Sequence, residues 1–120
     1  MKIVVTADGT DLDAQVDPRF GRSRYFLAVD TQDDSVTHHD NQQNLNAVQG
    51  AGIQAGQNVV QLGAEAVITG NVGPKAFSVL SAAGIKIFLV DGGTVKEAVE
   101  KFKAGSLQQV DGASKPGHWI

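Results

Sequence analysis

The sequence predicts a three-layer α/β domain built on a mixed sheet, and three observations carry that expectation. Three β-rich runs, Lys2–Ala7, Arg24–Asp30 and Ser35–Asp40, follow one another with no helical pattern between them. From Gly50 onward helical and strand patterns alternate, the order expected of parallel strands joined by crossover helices. The length of 120 residues, with 42% hydrophobic and 19% charged, suits one soluble core.

Lys2–Ala7 (KIVVTA) reads as a buried strand ended by the turn-prone Asp8-Gly9-Thr10. Asp8–Ser23 shows little periodicity, and a loop that long in a compact domain is uncommon unless it has a task. Arg24–Asp30 is a second strand, and the more polar Ser35–Asp40 suits a sheet edge, completing an antiparallel meander. After an amide-rich loop, Asn41–Asn46, a helix opens at Gly50-Ala51-Gly52 and runs to about Leu62. Gly52, Gly56 and Gly63, with Val59, form a narrow face expected to bring that helix close to the sheet. Ala66–Thr69 is a short buried strand. A second helix starts at Gly73-Pro74 with proline at its first position, turns Ala76, Phe77, Leu80 and Ala83 inward, and stops at Gly84. Ile85–Val90 is a fifth strand. Thr94 and Glu97 have capping-box spacing ahead of the stripe Val95, Ala98, Val99 and Phe102, and Gly105 ends this third helix. Residues 1–105 thus form one domain, and the aperiodic 106–120 is expected to be a mobile tail.

Right-handed helical crossovers after the third and fourth strands give a five-stranded sheet of order 3-2-1-4-5, the arrangement of ribonuclease H-like folds. The segments after strands one, three, four and five then share one edge: Asp8–Ser23, Asn41–Gly52, Gly70–Pro74 and Asp91–Thr94. Three of these lead into helix N-termini, whose free N–H groups and partial positive charge attract anions. Arg19, Arg22 and Arg24, all the arginines of the chain, fall within six consecutive residues, the first two in the first loop and Arg24 at the start of the second strand. The edge is therefore an expected anion site, with Gly50, Gly52, Gly70, Gly73, Gly92 and Gly93 allowing close backbone approach; helix packing and capping would explain the same glycines without a ligand.

Composition removes other classes. With no cysteine there is no disulfide, zinc-thiolate site, protein-ligated iron–sulfur cluster or thiol nucleophile. A net charge of -3 disfavours sequence-independent nucleic-acid binding. The longest apolar run, Tyr25–Val29, is far below the ~20 residues of a membrane span, and Ile3–Val5 is too short for a secretory core, so a cytoplasmic location is expected. Gly50–Ala55 matches G-x-G-x-x-A, but an amide-rich loop precedes it and no acid ends the next strand, which argues against a dinucleotide. Asp8, Glu65 and Asp91 stand at element ends, unlike the clustered carboxylates of a two-metal nuclease. His38 and His39, adjacent on a strand, point to opposite faces and cannot chelate one ion together, although either alone could cap a ligand at the loop edge. His118 and Trp119 could fold over a site or simply anchor the terminus. Ser23 and Ser78 have no nearby base, so an enzyme is not expected.

Four ordered segments carry a resemblance over roughly residues 1–105: Asp17-Pro18-Arg19-Phe20-Gly21-Arg22, Gly50-Ala51-Gly52-Ile53-Gln54-Ala55, Gly70-Asn71-Val72-Gly73-Pro74-Lys75-Ala76-Phe77 and Gly93-Thr94-Val95-Lys96-Glu97-Ala98. The chain resembles the dinitrogenase iron-molybdenum cofactor biosynthesis family, the NifX-like and NifB-C-terminal-like domains, and within it the small cysteine-free orange protein type. That resemblance implies a ribonuclease H-like fold and a noncovalent carrier of an anionic metal–sulfur cluster, of the molybdenum–copper sulfide or iron–molybdenum cofactor kind, without catalysis. It also implies ATPases of the MinD/Mrp type as partners; an interaction module serving such an ATPase independently of any cluster is the second reading. Arg19, Phe20, Gly21, Arg22, Gly50, Ala51, Gly52, Asn71 and Gly73 are the candidate cofactor-binding residues, with Phe20 as an apolar wall, and His38 or His39 is the candidate metal ligand.

Overall fold

In the computed structural model, which describes residues 1–41, 50–110 and 112, the helices and strands follow in the expected order with one strand added. They are β1 (Lys2–Ala7), β2 (Tyr25–Asp30), β3 (Val36–Asp40), α1 (Ala51–Gln61), β4 (Ala66–Thr69), α2 (Pro74–Ala82), β5 (Lys86–Leu89), α3 (Val95–Lys103) and β6 (Gln108–Gln109). The sheet order is β3-β2-β1-β4-β5-β6. β1 pairs antiparallel with β2 and parallel with β4, β2 antiparallel with β3, and β4 parallel with β5.

Six strands, not five, correct the expectation, because part of the supposed tail joins the sheet. Gln108 and Gln109 pair antiparallel with Leu89 and Phe88, and the Val110 amide donates to the Ile87 carbonyl at 2.9 Å. Two glutamines carry no strand pattern; main-chain bonding at an edge needs none. The apolar signal sits beside them, in Leu107 packed on one face of the sheet and Val110 on the other. The expected loop over Gln42–Asn46, and His118 and Trp119, lie outside the described residues.

β1 is buried on both faces, which is why it reads as a continuous β-branched run. Val4, Phe26, Ala28, Val67 and Ile87 face Ala55 and Val59 of α1 and Ala76 and Leu80 of α2. On the other face Ile3, Val5, Leu27, Val29 and Ile68 meet Val95, Ala98 and Val99 of α3. Helices therefore cover both sides, in three layers. The glycines of α1 correct a second expectation. A Cβ on Gly52 would meet the Ala76 Cβ at 3.2 Å, and one on Gly56 would meet the Val79 Cγ1 at 2.8 Å, so both serve contact with α2 rather than with the sheet. Gly63, at φ +76°, follows the helix as its left-handed stop.

α3 carries the full set of end signals. The Thr94 side chain accepts from the Glu97 amide at 3.2 Å, and Glu97 accepts from the Thr94 amide at 2.9 Å. Lys101 and Lys103 occupy the last turn, where Lys103 pairs with Asp34. The long first loop is laced to its surroundings. Asp17 N–H donates to the Thr6 carbonyl and Val16 N–H to the Gly93 carbonyl, each at 2.9 Å. The absence of periodicity thus marked irregular, well-bonded backbone.

Candidate functional site

A cavity of about 510 Å³ opens where three connections converge: Arg19–Arg22 after β1, Gly50–Ile53 leading into α1, and Asn71 with Gly73–Ala76 after β4. The nine candidate residues, far apart in sequence, all line it. Its charged lining residues are Arg19, Arg22 and Lys75, and among the described residues no Asp or Glu lines it. In a chain of net charge -3 this is a local inversion of sign.

Backbone contacts hold the arginine segment there. The Phe20 amide donates to the Asn71 carbonyl at 3.3 Å, and Arg19 bridges Asn71 in parallel register. Gly70 fits against Pro18 so closely that a Cβ on it would lie 2.6 Å from the Pro18 Cα. Gly21 abuts the start of α1, its ideal Cβ falling 3.0 Å from both N and Cα of Gly52. Asp17, 6% exposed, accepts from the Arg19 amide at 3.0 Å and from its Nε at 3.4 Å, so one buried carboxylate orients both the backbone and the side chain of Arg19. Asn41 acts as a clamp. Its Nδ2 donates to the Gly21 carbonyl at 3.1 Å and to the Ser23 carbonyl at 2.8 Å, while its Oδ1 accepts from Asn58 of α1 at 3.2 Å.

Two helix starts face the cavity, both with glycine N-caps: Gly50 for α1 and Gly73 for α2, neither with a side-chain cap. The third expected start does not. The amides of Val95 and Lys96 donate to the carbonyls of Ala14 and Leu12, each at 2.9 Å, and the Glu97 amide goes to Thr94. The first loop thus consumes the amides of α3, and Asp91–Thr94 stays out of the cavity.

Phe20 is only 2% exposed and stacks on Phe26 with centroids 5.8 Å apart, so it belongs to the core and offers the cavity a floor more than a wall. His38 lies edge-on to Tyr25, and His39 hydrogen bonds to Thr37 at 3.0 Å; neither lines the cavity. Arg24 stacks over Tyr25 at 5.4 Å instead of joining the other arginines. The sequence reading missed Lys75, Asp17 and Asn41. Lys75 was within reach, since it follows Gly73-Pro74 at a helix start already placed on this edge. Asn41 and Asp17 act through tertiary contacts that no local pattern announces.

Among the described residues no three His, Asp or Glu side chains converge, and the chain has no cysteine. The donors available are guanidinium, ammonium and main-chain N–H groups, which suit an anion whose own atoms complete its bonding. Fold and cavity together define a three-layer α/β domain with a cationic pocket at a sheet edge. The chain belongs to the family described as dinitrogenase iron-molybdenum cofactor, whose model matches residues 1–105. It is similar to the apo orange protein of Desulfovibrio gigas, 43% identical with a TM-score of 0.90 over 95% of this chain and 96% of that one. A Thermotoga protein described as a candidate NifB protein of the DUF35 family is 33% identical, with a TM-score of 0.80 over 95% and 97% of the two chains. An uncharacterized Methanocaldococcus jannaschii protein is 27% identical, with 92% of each chain covered.

Proposed function

We propose that this protein is a noncovalent carrier whose cargo is an anionic metal–sulfur cluster, of the molybdenum–copper sulfide or iron–molybdenum type, held without catalytic turnover. The observation that carries the reading is the lining of the cavity, which among the described residues has three cationic residues, no acid and two glycine-capped helix starts, in an acidic chain without a thiol. Membership of a family named for the iron–molybdenum cofactor, and likeness to the orange protein, point to the same class of cargo. A cluster already saturated by inorganic sulfide needs no protein thiolate. It needs charge-assisted hydrogen bonds to its periphery, which Arg19, Arg22, Lys75 and the amides at the starts of α1 and α2 offer.

The test is reconstitution with tetrathiomolybdate and copper(I), followed by gel filtration with metal analysis and a visible spectrum. Molybdenum and copper should elute with the protein, and Arg19→Gln/Arg22→Gln should weaken uptake about tenfold or more, as expected for losing two charge-assisted contacts. Unchanged affinity in the double variant would remove the electrostatic basis of the proposal.

A further inference from the structure

Lys75 is the second residue of α2, is exposed, and is one of the residues lining the cavity. A cation there opposes the helix dipole, which favours negative charge in the first turn and positive charge in the last. α3, on the opposite face of the sheet, follows that rule with Glu97 early and Lys101 and Lys103 late. α2 has no acid in its first turn, no base in its last and no side-chain cap, so it tolerates a misplaced cation without compensation. The other cations differ in how they are matched. Arg19 already shares the buried carboxylate of Asp17 at 3.4 Å, whereas neither Arg22 nor Lys75 has a carboxylate partner among the described residues.

We propose that Lys75 is a charge-selecting contact of this pocket: with Arg22 it supplies unmatched positive charge that makes the site prefer multiply charged anions over singly charged ones of equal shape. This rests on the carrier reading above and deepens it, because it names charge, beyond sulfide chemistry or size, as what the cargo must bring. A single added cation attracts a dianion with twice the energy it exerts on a monoanion at the same distance. The cost is a helix less stable when empty than it need be, a trade of stability for binding.

The experiment uses two tetrahedral sulfide anions of the same shape, tetrathiomolybdate (charge -2) and tetrathiorhenate (charge -1), titrated into the wild type, Lys75→Gln and Lys75→Glu, with thermal melts of the ligand-free proteins alongside. Lys75→Gln should lower affinity for the dianion by about two- to fivefold and for the monoanion by roughly the square root of that factor, narrowing the preference between them. Both variants should melt higher than wild type when empty, by about 1–4 °C, with Lys75→Glu the higher. An equal loss for both anions, or no loss, overturns charge selection; melts at or below wild type overturn the argument from the misplaced cation. If the wild type binds neither anion, the carrier reading falls first, and the Lys75 proposal falls with it.

Discussion

Gly70→Ala is the most direct trial of how the cavity is held together. The new Cβ would stand 2.6 Å from the Cα, 2.8 Å from the Cβ and 3.0 Å from the carbonyl oxygen of Pro18. Carbon atoms in good contact sit about 3.5–4.0 Å apart, so the segment after β4 and the arginine loop must separate by about 1 Å. No rotamer relieves the overlap, because alanine has none and two of the three opposing atoms are main chain. Overpacking of this kind costs about 1–3 kcal/mol. At the unfolding entropy usual for 120 residues, about 0.25 kcal/mol/K, the melting temperature should fall by about 4–12 °C. The separation also strains the hydrogen bond from the Phe20 amide to the Asn71 carbonyl, already 3.3 Å, so anion affinity should drop alongside stability. Gly50→Ala is the control: its Cβ meets no described atom within 4 Å, and its φ of -73° and ψ of 167° suit any residue. Calorimetry of both variants is the assay. A Gly70→Ala melt within 1 °C of wild type would refute the claim that this backbone contact fixes the loop.

Asn41→Ala should cost about 2–3 kcal/mol by urea denaturation, since it strips the Gly21 and Ser23 carbonyls and the Asn58 amide of a buried partner. Retention of wild-type stability would mean that water replaces the clamp without loss. Folding lowers the pKa of Glu97 below its ordinary 4.5, chiefly through the bond from the Thr94 amide and then through the Thr94 hydroxyl. That contribution is complete above the unfolded value and disappears as pH falls through the folded one, so the stability gap between wild type and Glu97→Gln should close on acidification. A gap constant from pH 7 to pH 3 would show that ionisation of Glu97 is irrelevant to the cap.

Local pattern determined most of the elements. β1 and β4 are buried runs bounded by turn residues, and the Thr94/Glu97 spacing is a complete helix start on its own, so nearest-neighbour chemistry sufficed. The parallel placement of β4 and β5 followed from the helices between strands, because crossover handedness is a property of the chain. β6 was hidden for the converse reason: an edge pair of two glutamines is stabilised by main-chain bonds and by flanking residues packed at a distance.

For the site, sequence by itself determined which groups carry positive charge, which helix starts have glycine caps, and that no thiol is available. Only the tertiary structure decided which of them meet. Arg24 goes to Tyr25 while Arg19 and Arg22 go to the cavity, α3 spends its amides on Leu12 and Ala14, and Lys75 arrives beside residues more than 50 positions away in the chain. Electrostatic convergence depends on distances between segments. These are fixed by close backbone packing at Gly21, Gly52 and Gly70 and by buried hydrogen bonds such as those of Asn41, long-range contacts that no sequence periodicity encodes.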